Sequence, residues 1–439
     1  AGKVVKYSLM SLADPDDGDE EDDDDEEEGK HSSVLSKRKR KDKKETGDRL
    51  SEAEEAGGKE EGARLQSNSE AIYNIVNMYV GVGLWSLPYS LVVGGKEALL
   101  VLVVLLVLCY MSAANLVRLY DNSPATQRSE VGSYLQISAD AFGAWGTFWS
   151  GLFLTGEFLG TAMVLVLTTW DVLAGIGFPY WFGAVLSTVL LLPLVWKDEW
   201  SNMAYINAFA LLSTIVVILA DYFVILEGVV LPPERDEPVT IRGFTRAVGL
   251  QMVALGSGTP AVPSIYQQVQ HPRQFSFVLA ASFVVIALFC FAMTIGGIAS
   301  YGQGAKILII DNLVGDRRWG FIVSVMVSAA SFATTPPFVA MTTEIPLALT
   351  GMKSTGSGRR AMRYTVYLVT ILGCVLLKNS LDLILELTGL ACMSMTAIVL
   401  PIAMSIKVFP EKIDWLSLVA GIVAIIVSLL TTIIYLLLL

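Results

Sequence analysis

The sequence predicts an all-α polytopic membrane protein, on three observations. Of its 439 residues, 53% are hydrophobic, more than one soluble core can hide. From Ala71 onward, apolar runs of about 20 residues recur, each long enough to cross about 30 Å of hydrocarbon as a helix. Charge is concentrated ahead of those runs: 21 of the 42 acidic and 13 of the 31 basic residues precede Gln66, so this stretch carries −8 of the formal −11. The body of the chain is nearly neutral.

Residues 1–66 read as a separate tail. "DPDDGDEEDDDDEEE" is an acidic block, "SKRKRKDKK" a basic one, and almost no aromatic residue accompanies them, which predicts a disordered, solvated cytosolic segment. In front of a membrane domain, the basic run Lys37 to Lys44 suits an anionic leaflet better than nucleic acid, although a solvated tail with no dedicated partner is the simpler reading of the composition. The first residues lack the charged-then-apolar pattern of a signal peptide, so insertion is expected to begin with the run near Ala71.

Residues 67–439 form the expected transmembrane domain. Its eleven predicted spans are about 70–93, 97–119, 147–174, 179–196, 203–228, 244–270, 275–300, 319–345, 362–379, 383–406 and 414–438. An odd number puts the termini on opposite sides, and the basic tail beside the first span predicts a cytosolic N-terminus. Between spans two and three, "SEVGSYLQISADAFGAWG" is too polar to cross; with Leu135, Ile137 and Phe142 it predicts a short interfacial helix. Trp85, Trp149, Trp170, Trp181 and Trp196 fall near span ends and read as interface anchors.

The composition narrows the chemistry. Cys109, Cys290, Cys374 and Cys392 lie inside apolar runs without metal-ligand spacing, and the two histidines, His31 and His271, lie in the tail and a polar loop. No metal site and no cofactor are expected, and an intramembrane proton carrier would be a carboxylate. The chain has no phosphate-binding Gly-Lys-Ser/Thr loop and no Ser/His/Asp constellation, so it does not read as an enzyme.

Two of the spans break themselves. In "NMYVGVGLWSLPYS", Gly81 and Gly83 lack a Cβ and Pro88 lacks an N–H; in "ALGSGTPAVPSIY", Gly256 and Gly258 again precede Pro260 and Pro263. Small residues and proline in one membrane helix often serve packing alone. Recurrence at the first helix of a second set of five changes the reading, because irregular backbone survives in a bilayer only where protein or a wet cavity satisfies it. Matching breaks in two halves point to a binding site at the midplane of two inverted five-helix repeats, with span eleven outside them. Half-helix N-termini there favour an anionic group and unwound carbonyls a cationic one, a pairing that suits an amino-acid zwitterion.

At these residues the chain resembles the amino acid/auxin permease family. "NMYVGVGLWSLPYSLVVGG" resembles the family's first helix, "SYLQISADAFGAWG" its cytosolic segment, and "SGTPAVPSIYQQVQHPRQF" its sixth helix with the following loop. "SYGQGAKILIIDNL" is similar to the loop after span seven, and "LTGLACMSMTAIVLPI" to span ten. The resemblance implies a LeuT-type fold, a 5+5 inverted repeat plus one extra helix. It further implies amino acid transport by alternating access, driven by a proton or sodium gradient, and favours a vacuolar or vesicular membrane over the plasma membrane. By match to the unwound segments, the implied substrate-binding residues are Gly81, Val82, Gly83 and Leu84 in span one and Gly256, Ser257, Gly258 and Thr259 in span six. Asn77 matches an asparagine of the cation site in sodium-coupled relatives. Thr259 stands where many relatives have His, which removes any substrate preference carried by that position.

The residues themselves supply further ion-coupling candidates. Glu157 lies about ten residues into span three, roughly 15 Å along the helix and near the midplane. A carboxylate there costs at least about 2.5–3.5 kcal/mol and is a functional candidate by default, with a purely structural hydrogen-bonding role as the alternative. Asp171, fourteen residues later, falls near the same stripe, so the two are candidates to line one pathway. Asp221, Glu344 and the i, i+4 pair Asp382 and Glu386 sit nearer span ends and read as interfacial. In span eight, Ser328, Ser331, Thr334 and Thr335 offer hydroxyls to a cation opposite Asn77, although back-bonding to their own helix is the commoner use. The expected function is thus amino acid transport coupled to H+, with Na+ coupling, or an amino-acid-sensing receptor with little flux, as alternatives. The expected partners are the amino acid and the bilayer.

Overall fold

The computed structural model describes residues 66–122, 132–196, 203–226, 239–314, 319–350, 356–409 and 415–438. The charged tail lies outside them. The described residues are almost entirely helical and belong to one unit, residues 65–439.

The first predicted span is a bent pair. Helix α1 (Asn68–Tyr79) starts at a capping box: Ser67 Oγ accepts from the Glu70 N–H, and the Glu70 carboxylate accepts from the Ser67 N–H. It stops two residues before a 3-10 turn, Val82–Ser86, which leads into α2 (Leu87–Gly94) with Pro88 in its first turn, where the missing N–H costs nothing. The two halves are bent by 49°. Helix α3 (Glu97–Asn122) is the second span.

Helix α4 runs over Gly132–Gly175 with one interruption, Gly143, at φ +65°. This left-handed residue separates the predicted short helix from span three. Tyr134, Leu135, Ile137 and Ser138 of the short helix are buried, and Ser150 donates to Ser138 at 2.6 Å. One side of that helix is therefore packed into the protein, while Phe142 and Trp145 face outward.

The remaining predicted spans correspond to α5 (Tyr180–Trp196), α6 (Met203–Leu226), the pair α7 (Ile241–Gly256) and α8 (Val262–Gln267), and α9 (Phe275–Tyr301). After the short loop helix α10 (Ile310–Val314) come α11 (Gly320–Thr350) and α12 (Gly356–Leu376). The tenth is composite: α13 (Leu381–Leu387), two π-helical stretches at Thr388–Met393 and Met395–Val399, and α14 (Leu400–Val408). Helix α15 (Trp415–Leu438) closes the chain.

Among the described residues, six helices are long and apolar enough to cross a membrane, seven when α1 and α2 are taken as one bent span. Two shorter apolar helices cover Tyr180–Val195 and Ala210–Leu226. The apolar surface is inverted relative to a soluble protein. Leu99, Leu100, Val103 and Val104 of α3 and Ile426, Val427, Leu430 and Ile433 of α15 face outward, the arrangement that hydrocarbon solvent requires.

Two predicted interface anchors are not anchors. Trp170 is buried and its indole N–H donates to Ser187 at 2.6 Å, and Trp85 is buried beside the first break. Near a span end a tryptophan can point inward as readily as outward, and sequence does not carry the rotation. Trp149 and Trp181 do face outward.

Candidate site at the two helix breaks

The broken helices meet. Between α1 and the 3-10 turn, Val80 leaves helical geometry at φ −84°, ψ 85° and Gly81 is extended at φ −135°, ψ −156°. The sixth span opens after Gly256 and resumes through a 3-10 turn, Thr259–Ala261. Ser257 Oγ donates to the Met78 carbonyl at 3.1 Å, supplying a donor to a carbonyl at the end of α1. The Tyr79 and Thr259 hydroxyls share a buried hydrogen bond of 2.9 Å.

Glycine is required here by close approach. Gly258 lies against the Tyr79 ring, and Gly83 lies against the backbone of Val253 and Ala254, so a Cβ at either would have no room. The loop after α9 fastens the far side of the first break, with the Ile309 N–H donating to the Trp85 carbonyl at 2.9 Å. Of the predicted binding residues, Val82, Gly83, Leu84, Gly256, Ser257, Gly258 and Thr259 are buried. Gly81 is exposed, and a Cβ built there meets nothing within 4 Å. It is the point where backbone at the break borders open space.

The π-helical part of span ten forms a third wall. Gly256 packs on Met393 and Ala397, and Gly249 and Gly389 bring α7 against the start of the π stretch with backbone nearly touching. A π turn loosens the regular carbonyl ladder, and such bulges are frequent at functional sites. Here Ser394 donates back to the Leu390 carbonyl, and Thr432 of α15 donates to the same oxygen at 2.9 Å.

Glu157 sits against this wall and is fully buried. Thr396 donates to its Oε2 at 2.5 Å, while Oε1 is buried without a hydrogen-bond partner. Tyr134 of the short helix donates to the Thr396 carbonyl at 2.7 Å, so Thr396 connects the short helix, span three and span ten. Asp171 is partly exposed; its charged neighbour is Asp311 of α10, and no hydrogen bond links it to Glu157.

The predicted hydroxyl set divides. Ser328 and Ser331 Oγ are buried without a partner, as is Asn77 Oδ1, whereas Thr334 and Thr335 donate to the Ala330 and Ser331 carbonyls of their own helix at 2.7 Å. Among the described residues no hydrogen bond joins Asn77 to span eight.

Two carboxylates expected to be interfacial are buried. Asp221 is fully enclosed. Glu386 accepts from Arg246 Nε and from the Tyr435 hydroxyl, both at 2.5 Å, and Arg246 also lies 3.6 Å from Asp382. This cluster ties α7 to α13 and α15. Asp382 is partly exposed, as is Glu344, which pairs with Arg359 at 2.8 Å. Position near a span end indicates depth along the membrane but not which way the residue faces. Thr396, Arg246 and Tyr435 carried no sequence signal of their own.

Comparison with known proteins identifies the family. Residues 65–438 match the family described as transmembrane amino acid transporter protein. The chain belongs to that family. Similar curated proteins include two from Arabidopsis thaliana, amino acid transporter AVT1B, 28% identical over 263 residues, and AVT1C, 22% identical over 387 residues. These alignments cover 57% and 85% of the chain and 47% and 69% of the relatives. The chain thus spans about half the length of AVT1B. Among solved structures, MhsT in complex with L-phenylalanine superposes with a TM-score of 0.54 at 12% identity, covering 84% of this chain and 97% of that one. Mhp1 in an inward-facing conformation gives 0.53 at 12%, covering 84% and 91%. At such identities the likeness concerns the fold, which is of the LeuT-like transporter type, and the chain is an integral, multi-pass membrane protein.

Proposed function

We propose that this chain is a secondary active transporter of amino acids, working by alternating access through eleven spans arranged as two inverted five-helix repeats plus one. The observation that carries the reading is the meeting of the two breaks, where Ser257 reaches the Met78 carbonyl and Tyr79 reaches Thr259 beside the open face of Gly81. Family membership supports the substrate class. The substrate backbone binds between Gly81, Val82, Gly83 and Leu84 on one side and Gly256, Ser257, Gly258 and Thr259 on the other. Unlike a side-chain site, backbone groups recognise the ammonium and carboxylate shared by all amino acids, so selectivity is left to the surrounding walls.

The coupling ion in this reading is the proton, with Glu157 as its carrier. A carboxyl with one oxygen held by Thr396 and the other unpartnered is served best by carrying a hydrogen, since a buried charge without full pairing is costly. Protonation at Glu157 then bears directly on span ten, because its one partner, Thr396, belongs to the π stretch that packs on the second break. The proposed location is a vacuolar or vesicular membrane with the N-terminus in the cytosol.

A second reading, sodium coupling, is favoured by one observation: Asn77 Oδ1, Ser328 Oγ and Ser331 Oγ are buried acceptors without partners. The test of transport itself is counterflow of a labelled amino-acid mixture in proteoliposomes. Exchange of label against internal substrate supports a transporter; saturable binding without exchange supports a receptor.

A further inference from the structure

Asp221 has no part in the scheme above, yet it is the most isolated acid in the described structure. Its side chain is fully buried, and neither carboxylate oxygen has a hydrogen-bond partner. It lies five residues before the end of α6, roughly 7.5 Å along the axis. Helix α9 presents Gly296 to its Cβ, and Ser300 of that helix donates to the Asp221 backbone carbonyl at 2.7 Å rather than to the carboxylate. On the other flank α6 is fastened to α11 by Ser213 donating to the Met326 carbonyl at 3.0 Å, and Phe223 stacks at 5.3 Å on Trp319, the residue before α11.

The elements packed against α6 are α1, α9, α10 and α11. Their titratable groups are Glu70, Tyr73 and Tyr79, then Cys290 and Tyr301, then Asp311, and finally Glu344. None of them hydrogen-bonds to the Asp221 carboxylate, and Glu344 is engaged by Arg359. Among the described residues, an anion in this place would have neither a counter-charge on these packed elements nor a donor, and an unpaired buried charge is far costlier than a neutral acid.

We propose that Asp221 is a second proton-binding residue of the transport cycle, carrying its proton in the enclosed state described here and exchanging it with water when α6 and α9 part. The step is acid–base only: the carboxylate takes one proton from the aqueous phase, becomes the neutral acid, and returns that proton to the aqueous phase when next exposed. The inference rests on the transport reading for its link to flux, but the occupancy of Asp221 is testable apart from it.

The experiment uses the reconstituted full chain and Asp221→Asn, which preserves the shape of the protonated acid. Counterflow should persist in D221N, while accumulation driven by a pH gradient should fall to the level seen without a gradient. Accumulation equal to wild type overturns the proposal. If wild type shows no counterflow, the transporter reading fails instead. Should D221N lose counterflow as well, thermal unfolding from mildly acid to mildly alkaline buffer decides. A proton held only in the native state makes stability fall as pH rises, so the fall should be shallower in D221N than in wild type. Equal slopes overturn the proposal.

Discussion

Gly81 and Gly83 are two residues apart, yet the geometry assigns them different work, and alanine substitution separates the two. At Gly83 a Cβ would stand in the backbone of Val253 and Ala254, and backbone cannot rotate away as a side-chain tip can. Overpacking of this kind costs about 1–3 kcal/mol, so Gly83→Ala should lower the melting temperature measurably. At Gly81 the same methyl meets nothing within 4 Å, and φ −135° is extended backbone open to any residue. Alanine there should leave stability unchanged or raise it by about 0.4–1 kcal/mol through the unfolded chain. The methyl would, however, occupy the space into which a substrate backbone is proposed to come. A loss of about 1.4 kcal/mol in substrate affinity corresponds to tenfold, and G81A should weaken binding by at least about that factor. Melting curves and equilibrium binding on the same purified samples make the comparison. Wild-type affinity in a well-folded G81A would refute the placement of substrate at the first break.

Four further substitutions test particular contacts. Glu157→Gln should retain counterflow while losing the response of uptake to a pH gradient. Thr396→Val, which removes the one donor to the Glu157 carboxyl, should shift the pH profile of uptake and cost about 0.5–1.5 kcal/mol of stability, the range for a hydrogen bond to a neutral acid. Arg246→Met leaves Glu386 buried with Tyr435 as its remaining partner and should destabilise by about 3–5 kcal/mol, whereas the double variant with Glu386→Gln should recover part of that loss in a double-mutant cycle. Asp311, in the loop helix outside the spans, has its carboxyl raised by burial from 3.8 to about 6, with Lys306 pulling the other way. The native state therefore holds a proton that the unfolded chain releases, its contribution is lost as pH rises from 3.8 to about 6, and Asp311→Asn should flatten the melting temperature across that window.

The sequence made some levels of this structure legible and not others. Hydrophobic run length located the helices, because a bilayer forces each crossing to satisfy its own backbone. Glycine and proline located the breaks at Gly81 to Pro88 and Gly256 to Pro263 for the same reason, and Glu157 stood out because charge is rare at that depth. What pairs with what was not legible. Thr396 beside Glu157, Tyr79 beside Thr259 and Arg246 beside Glu386 join residues more than a hundred positions apart, and helix rotation decides each pair. Rotation also explains Trp170 and Asp221, whose positions suggested a water interface but whose side chains turn inward. The π-helical stretch from Thr388 to Val399 has no compositional mark, since the extra residue per turn is accommodated by packing on Gly249 and Gly256.

The central claim is that an amino acid bound at the breaks moves with a proton. The most direct measurement is accumulation of labelled amino acids in proteoliposomes of the purified chain under a proton gradient and, separately, under a sodium gradient at fixed pH. The account predicts concentrative uptake under the proton gradient with no sodium present. Uptake that requires sodium and ignores the proton gradient would contradict it and move the coupling site to Asn77, Ser328 and Ser331.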